Sequence, residues 1–114
     1  MFSKELLKGT LSAIVMKLLA DEGKMYGYEI AQRVRERSGN KILIKDGSLY
    51  PALQKMTEDG LLTFKEEIVG GRVRKYYFLT PQGKKKGVEF VSELQEFIST
   101  MSQVLKAQPK TSNA

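Results

Sequence analysis

Apolar positions change period several times along the chain, and each change marks an element. In segment 5–20 (ELLKGTLSAIVMKLLA), Leu7, Leu11, Ile14, Val15 and Leu18 recur at helical spacing and form one stripe. Gly23 and the polar stretch around it end that helix. A second helix is predicted from about Tyr26 to Ser38, with Ile30 and Val34 four apart. Ser38-Gly39-Asn40 stops it, because Gly and Asn tolerate the left-handed backbone of a helix C-terminus. KILIK (41–45) alternates Ile42 and Ile44 with lysines, which predicts a very short strand.

The third helix begins in DGSLYPAL (46–53) and runs to Gly60. Pro51 has no N–H to donate, so it is expected in the first turn, with the N-cap near Gly47 or Ser48. Leu49, Ala52, Leu53 and Met56 then share an inward face, and Tyr50, Pro51, Gln54, Lys55 and Glu58 point outward. Leu62–Val69 and Arg72–Leu79 are β-rich runs joined by Gly70-Gly71, a two-residue positive-φ turn that matches strand twist. Alternation directs Val73, Tyr77 and Leu79 toward the helices. Thr80-Pro81 starts the last helix with a hydroxyl N-cap and Pro at its first position. That helix is expected to reach about Lys106, with Val88, Val91, Leu94, Phe97 or Ile98, Met101 and Leu105 along one side.

Three helices followed by a two-stranded hairpin define a mainly α member of the α+β class, a winged helix-turn-helix. The expected organisation is a DNA-binding winged domain over 1–80, a C-terminal dimerisation helix over 81–106 and a polar, disordered tail over 107–114. The terminal stripe of Val91, Leu94, Phe97, Ile98, Met101 and Leu105 follows an already complete unit. A second copy of the chain is the expected cover for it, although packing on the chain's own core is the simpler alternative.

Composition then removes whole classes of chemistry. The 114 residues contain no Cys and no His, which excludes disulfides, zinc and haem ligation, and Cys- or His-based catalysis. No paired-carboxylate motif or phosphate-cradling loop stands out, so no enzyme, cofactor or metal is expected. No signal peptide or membrane-length apolar run is visible, and a cytoplasmic location follows as an expectation. Charge adds a positive indication. There are 19 Lys+Arg against 13 Asp+Glu, a net +6. The stretch 72–86 carries six cations (Arg72, Arg74, Lys75, Lys84, Lys85, Lys86) and no acid, so it alone accounts for the excess. Such localised charge suits a polyanion, because each cation laid on a phosphate releases condensed counterions.

The candidate DNA-contacting residues are therefore Tyr28, Lys45, Ser48, Tyr50, Pro51, Gln54, Lys55, Arg72, Arg74 and Lys75. Gln54 offers the paired donor and acceptor that match an adenine edge, and the third helix turns its N-terminal N–H groups toward phosphate. For Tyr28 a half-buried core role stands beside phosphate contact, and the wing cations also serve to blunt an exposed edge strand. Lys84–Lys86 open a helix, where the dipole disfavours cations, and are read as a solvated face.

The segments LLKGTLSAIVMKLLADEGKMYGYEI (6–30), DGSLYPALQKMTEDGLL (46–62) and GGRVRKYYFLTPQGKK (70–85) resemble the PadR-like family of transcriptional regulators. Gly27-Tyr28-Glu29-Ile30, Leu49-Tyr50-Pro51-Ala52-Leu53 and Lys75-Tyr76-Tyr77 before Leu79-Thr80 carry the likeness. The resemblance implies a homodimeric repressor of double-stranded inverted-repeat DNA, often of phenolic-acid or multidrug-efflux genes, released by a small hydrophobic or aromatic effector. An effector pocket between subunits is placed at Leu7, Leu11, Phe90 and Phe97. Tyr26 stands where many members have His, and no Trp is present for stacking a planar drug. The single terminal helix resembles the short subfamily. A different class of function, a winged module that binds protein and does not read DNA, is compatible with the same fold.

Overall fold

The computed structural model describes residues 2–109, so the expectation for the tail falls largely outside the described residues. The elements run α1 (Lys4–Leu7), α2 (Leu11–Glu22), β1 (Met25–Tyr26), α3 (Gly27–Arg37), α4 (Asp46–Glu58), β2 (Leu62–Val69), β3 (Arg72–Leu79) and α5 (Pro81–Lys106). The first predicted helix is thus two pieces. Ser3 Oγ accepts from Leu6 N–H at 3.3 Å to cap α1, and the chain breaks at Gly9, whose φ is +89°. Leu7 is consequently out of line with the stripe of α2, which buries Val15, Met16, Leu18 and Leu19.

The core joins α2 to Met25, Ile30 and Val34, to Leu49, Leu53 and Met56 of α4, and to Leu62, Tyr77 and Leu79 of the sheet. The predicted inward face of α4 is therefore the buried one. Where α2 ends, Asp21 and Glu22 meet Arg37 and Arg33 of α3, with the shortest contact at 3.1 Å from Arg37 Nη1 to Asp21 Oδ2. Lys17 and Arg37 beside Asp21 hold its carboxyl below the ordinary value. These ion pairs are exposed and align the helices more than they stabilise them.

The hairpin has the predicted bounds. Gly70 and Gly71 take φ of +57° and +79°, the positive pair that a two-residue turn between right-twisted strands needs. The sheet nevertheless has three strands in the order β1-β3-β2, all antiparallel. Its extra strand is β1, which pairs Met25 with Tyr77 and Tyr26 with Tyr76. The strand expected at 41–45 is absent. That segment is an irregular connection whose Ile42, Leu43 and Ile44 are half-buried, and Ser38 Oγ accepts from Ile42 N–H at 2.9 Å. Its alternation records anchoring on the core and not pairing in a sheet.

Two further expectations are corrected. Helix α4 starts two to three residues earlier than expected, with Lys45 as N-cap and Asp46 as its first residue. Pro51 therefore lies inside the helix, beyond the first turn, and leaves the Gly47 carbonyl without its usual donor. Val73 does not face the helices either. It is 62% exposed, because β3 runs past the end of the helical layer before reaching its turn.

Helix α5 spans 26 residues, about 39 Å. Thr80 Oγ1 accepts from Gly83 N–H at 3.0 Å, as its N-cap role requires, and donates to the Gly60 carbonyl at 2.6 Å. The first turns of α5 pack on α2, and the helix extends the molecule to 70 Å along its longest axis against 29 and 21 Å across.

Candidate nucleic-acid interface

The outward residues of α4 lie where periodicity puts them. Pro51, Gln54 and Lys55 are exposed, Ser48 is half-buried, and Lys45 is exposed at the N-cap. Tyr50 is 45% exposed, yet its ring also packs against α3. A Cβ at Gly27 would come within 2.6 Å of that ring, so any larger residue there displaces the Tyr50 ring from its present place. Gln54 Nε2 donates to Glu58 Oε1 at 3.4 Å, and Lys55 Nζ lies 3.5 Å from Asp59 Oδ2. Both are weak surface pairs one helical turn apart, readily exchanged for a stronger acceptor.

Tyr28, the second residue of α3, is 62% exposed. Its ring stacks on Tyr26 with centroids 6.2 Å apart and planes at 17°. Tyr26 in turn meets Tyr76 of β3 edge-on at 5.4 Å, and the Arg74 guanidinium carbon lies 4.5 Å over the centre of its ring. A continuous line of contacts therefore runs from Tyr50 on α4, across Gly27 and Tyr26, to Arg74 on the wing. The recognition-helix candidate and the basic hairpin are neighbours at one edge of the molecule.

The hairpin itself is less uniformly basic than segment 72–86 suggests. Its register sets Glu66 opposite Lys75 and Glu67 opposite Arg74. Acids absent from the segment are supplied by the partner strand. Lys75 Nζ rests 4.6 Å from the centre of the Phe64 ring. Glu67 Oε2 accepts from Lys24 Nζ at 2.8 Å, which raises the Lys24 pKa above the ordinary lysine value. Arg72, beside the turn, is exposed. Below the wing, burial pushes the Tyr77 hydroxyl above the ordinary tyrosine value, with a smaller contribution from Tyr50.

Lys24, Tyr26, Glu67 and Tyr76 were not among the sequence candidates. For Lys24 and Tyr26 the signal was the alternation Lys24-Met25-Tyr26, outward-inward-outward, that marks β1. The residues of the proposed effector pocket are dispersed in their exposure. Leu11 and Phe90 pack on the core, Leu7 is half-buried and Phe97 is 57% exposed. A separate apolar groove of about 360 Å³ runs between α2, α3 and α5, lined by Ile14, Leu18, Val34, Ile42, Val91 and Leu94. Val91 and Leu94 of the terminal stripe therefore meet the chain's own helices, whereas Phe97, Ile98, Met101 and Leu105 are exposed. Among the described residues no helix is long and apolar enough to cross a membrane, and no carboxylate cluster is suited to a metal.

Comparison with known proteins agrees with this architecture. An uncharacterised protein of Lysinibacillus sphaericus is 31% identical over 97 residues, covering 84% of this chain and 88% of that one. The negative transcriptional regulator PadR of Bacillus subtilis strain 168 is 35% identical over 69 residues, covering 60% of this chain but only 38% of its own length. Among solved structures, a transcriptional regulator from Clostridium thermocellum superposes with a TM-score of 0.82 at 26% identity, covering 90% of this chain and all of that one. The sequence pattern of the transcriptional regulator PadR-like family matches residues 15–89. With the winged arrangement of helices and hairpin, that match places the chain in the PadR-like family of transcriptional regulators.

Proposed function

We propose that the chain is a homodimeric, sequence-specific DNA-binding repressor, active in the cytoplasm on an inverted-repeat operator and released by a small hydrophobic or aromatic effector. One observation carries the reading. The outward polar face of α4 and Arg74 of β3 are joined along one edge by the Tyr50–Gly27–Tyr26–Arg74 line of contacts. In this arrangement α4 enters the major groove. Gln54 and Lys55 reach base edges, Lys45, Ser48 and Tyr50 approach the backbone near the helix N-terminus, and Pro51 packs against the groove wall. Tyr28, Arg72, Arg74 and Lys75 take phosphates on either side.

Dimerisation is supported by the exposed stripe Phe97, Ile98, Met101 and Leu105 on the projecting half of α5. Two-fold pairing is what a half-site reader needs. Effector release rests on family membership. The experiment is an anisotropy titration of duplex DNA from upstream of the chain's own coding sequence, beside a shuffled duplex, over a salt series. Tighter binding to the native duplex with a steep salt dependence supports the reading. Equal affinity for both duplexes overturns it in favour of a non-specific or protein-binding module.

A further inference from the structure

Arg74 has a carboxylate directly across the hairpin and does not pair with it. Glu67 is its cross-strand partner, and opposite charges at such positions ordinarily join. Here the Glu67 carboxylate is taken by Lys24 at 2.8 Å, and Lys24 also lies 5.2 Å over the Tyr76 ring. Among the described residues no carboxylate lies within ion-pair distance of Arg74; its guanidinium sits 4.5 Å over the Tyr26 ring. The difference is chemical. A carboxylate consumes the N–H fork of an arginine, whereas a ring face attracts the charge and leaves those donors for another acceptor.

Tyr26 is itself firmly held. It pairs with Tyr76 in the sheet, stacks on Tyr28, and its backbone N–H donates to Glu29 Oε1 at 3.1 Å across the first turn of α3. It therefore belongs to both the wing and the start of α3. We infer that Tyr26 is a positioning residue for DNA recognition: it holds Arg74 over its ring, with the N–H groups kept for a phosphate, while Lys24 keeps Glu67 away from that arginine. The inference rests on the DNA-binding reading above and assigns a role to residues that touch no DNA themselves.

A double-mutant cycle tests it, using anisotropy on the upstream duplex with melting curves to verify folding. Tyr26→Leu is expected to weaken binding about 3- to 10-fold. It should also lower the salt slope by nearly one unit, as the loss of one phosphate contact does. Tyr26→Phe keeps the ring and should bind like the parent chain. In the Arg74→Ala background, Tyr26→Leu should cost nothing further. Lys24→Met frees Glu67 to capture Arg74 and weakens binding; adding Glu67→Gln restores it. Independent losses in the cycle, or failure of Tyr26→Phe to rescue, overturn the inference while leaving DNA binding intact. A parent chain that binds no specific duplex overturns the functional reading itself. A measurement without DNA judges the geometry: the Arg74 δ protons should be shifted upfield by the ring relative to those of Arg72, a shift kept in Tyr26→Phe. Its absence from the parent spectrum also overturns the inference.

Discussion

Over its first turns α5 lies so close to the rest of the molecule that Gly83 and Gly87 are buried, and a Cβ at Gly83 would overlap the backbone carbonyl of Leu61. Over its last turns the same helix exposes Phe97, Ile98, Val104 and Leu105, the last at 77%. Both halves carry an apolar stripe of similar spacing, and among the described residues only one has a cover. Periodicity declares which face of a helix avoids water; it does not say whose surface covers that face. The first half belongs to the folding of one chain, and the second half is the surface proposed above for association between chains.

Substitutions in the two halves should separate these roles. The largest effect is expected at Gly83→Ala, where backbone must move to admit the methyl group. It should cost about 3 kcal/mol and lower Tm by roughly 15 °C, whereas exposed Thr100→Ala stays within about 0.5 kcal/mol. Thermal unfolding followed by circular dichroism checks both. Next, Ile98→Asp with Leu105→Asp should yield a monomer in sedimentation and weaken operator binding about 100-fold through lost bivalency. If this variant still sediments as a dimer, the assignment of the outer half fails. On the body, Arg72→Ala with Arg74→Ala should weaken binding about 10-fold on every sequence and lower the salt slope by about two units. Gln54→Ala should instead cost about 1 kcal/mol at a single base pair and relax preference there.

The smallest effect concerns acid. Lys17 and Arg37 hold the Asp21 carboxyl below its ordinary value in the folded chain. A lowered folded pKa gives stability that is present above the ordinary value and lost as pH falls through the folded one. Asp21→Asn should therefore flatten the fall of Tm below pH ~4.

The elements legible in the sequence were those whose signals are local. Gly70-Gly71 set the hairpin to the residue, Thr80-Pro81 set the start of α5, and the spacing of Leu49, Leu53 and Met56 set the buried face of α4. The features that escaped depend on distant partners. Strand β1 is two residues long and exists because Tyr76 and Tyr77 lie beside it. The isoleucines of KILIK alternate as a strand does, but the sheet edge they would need is elsewhere. The acids facing Arg74 and Lys75 lie on the opposite strand, seven and nine residues back, and emerge only when register is counted across the predicted turn and not along 72–86 alone. The start of α4 was misplaced because Pro51 was taken as a first-turn residue, whereas the helix begins at Asp46 and carries Pro51 in its interior. Of the candidate interface, the exposed side chains were legible individually; the seam that joins them through Tyr26 was not.

Hydroxyl-radical footprinting of the chain on its upstream duplex tests the central claim most directly. Two short protected patches on one face of the duplex, centred about one helical turn (~34 Å) or a multiple of it apart, are the result this account predicts. Uniform protection at all positions, a single patch that persists at saturation, or none at all would contradict it.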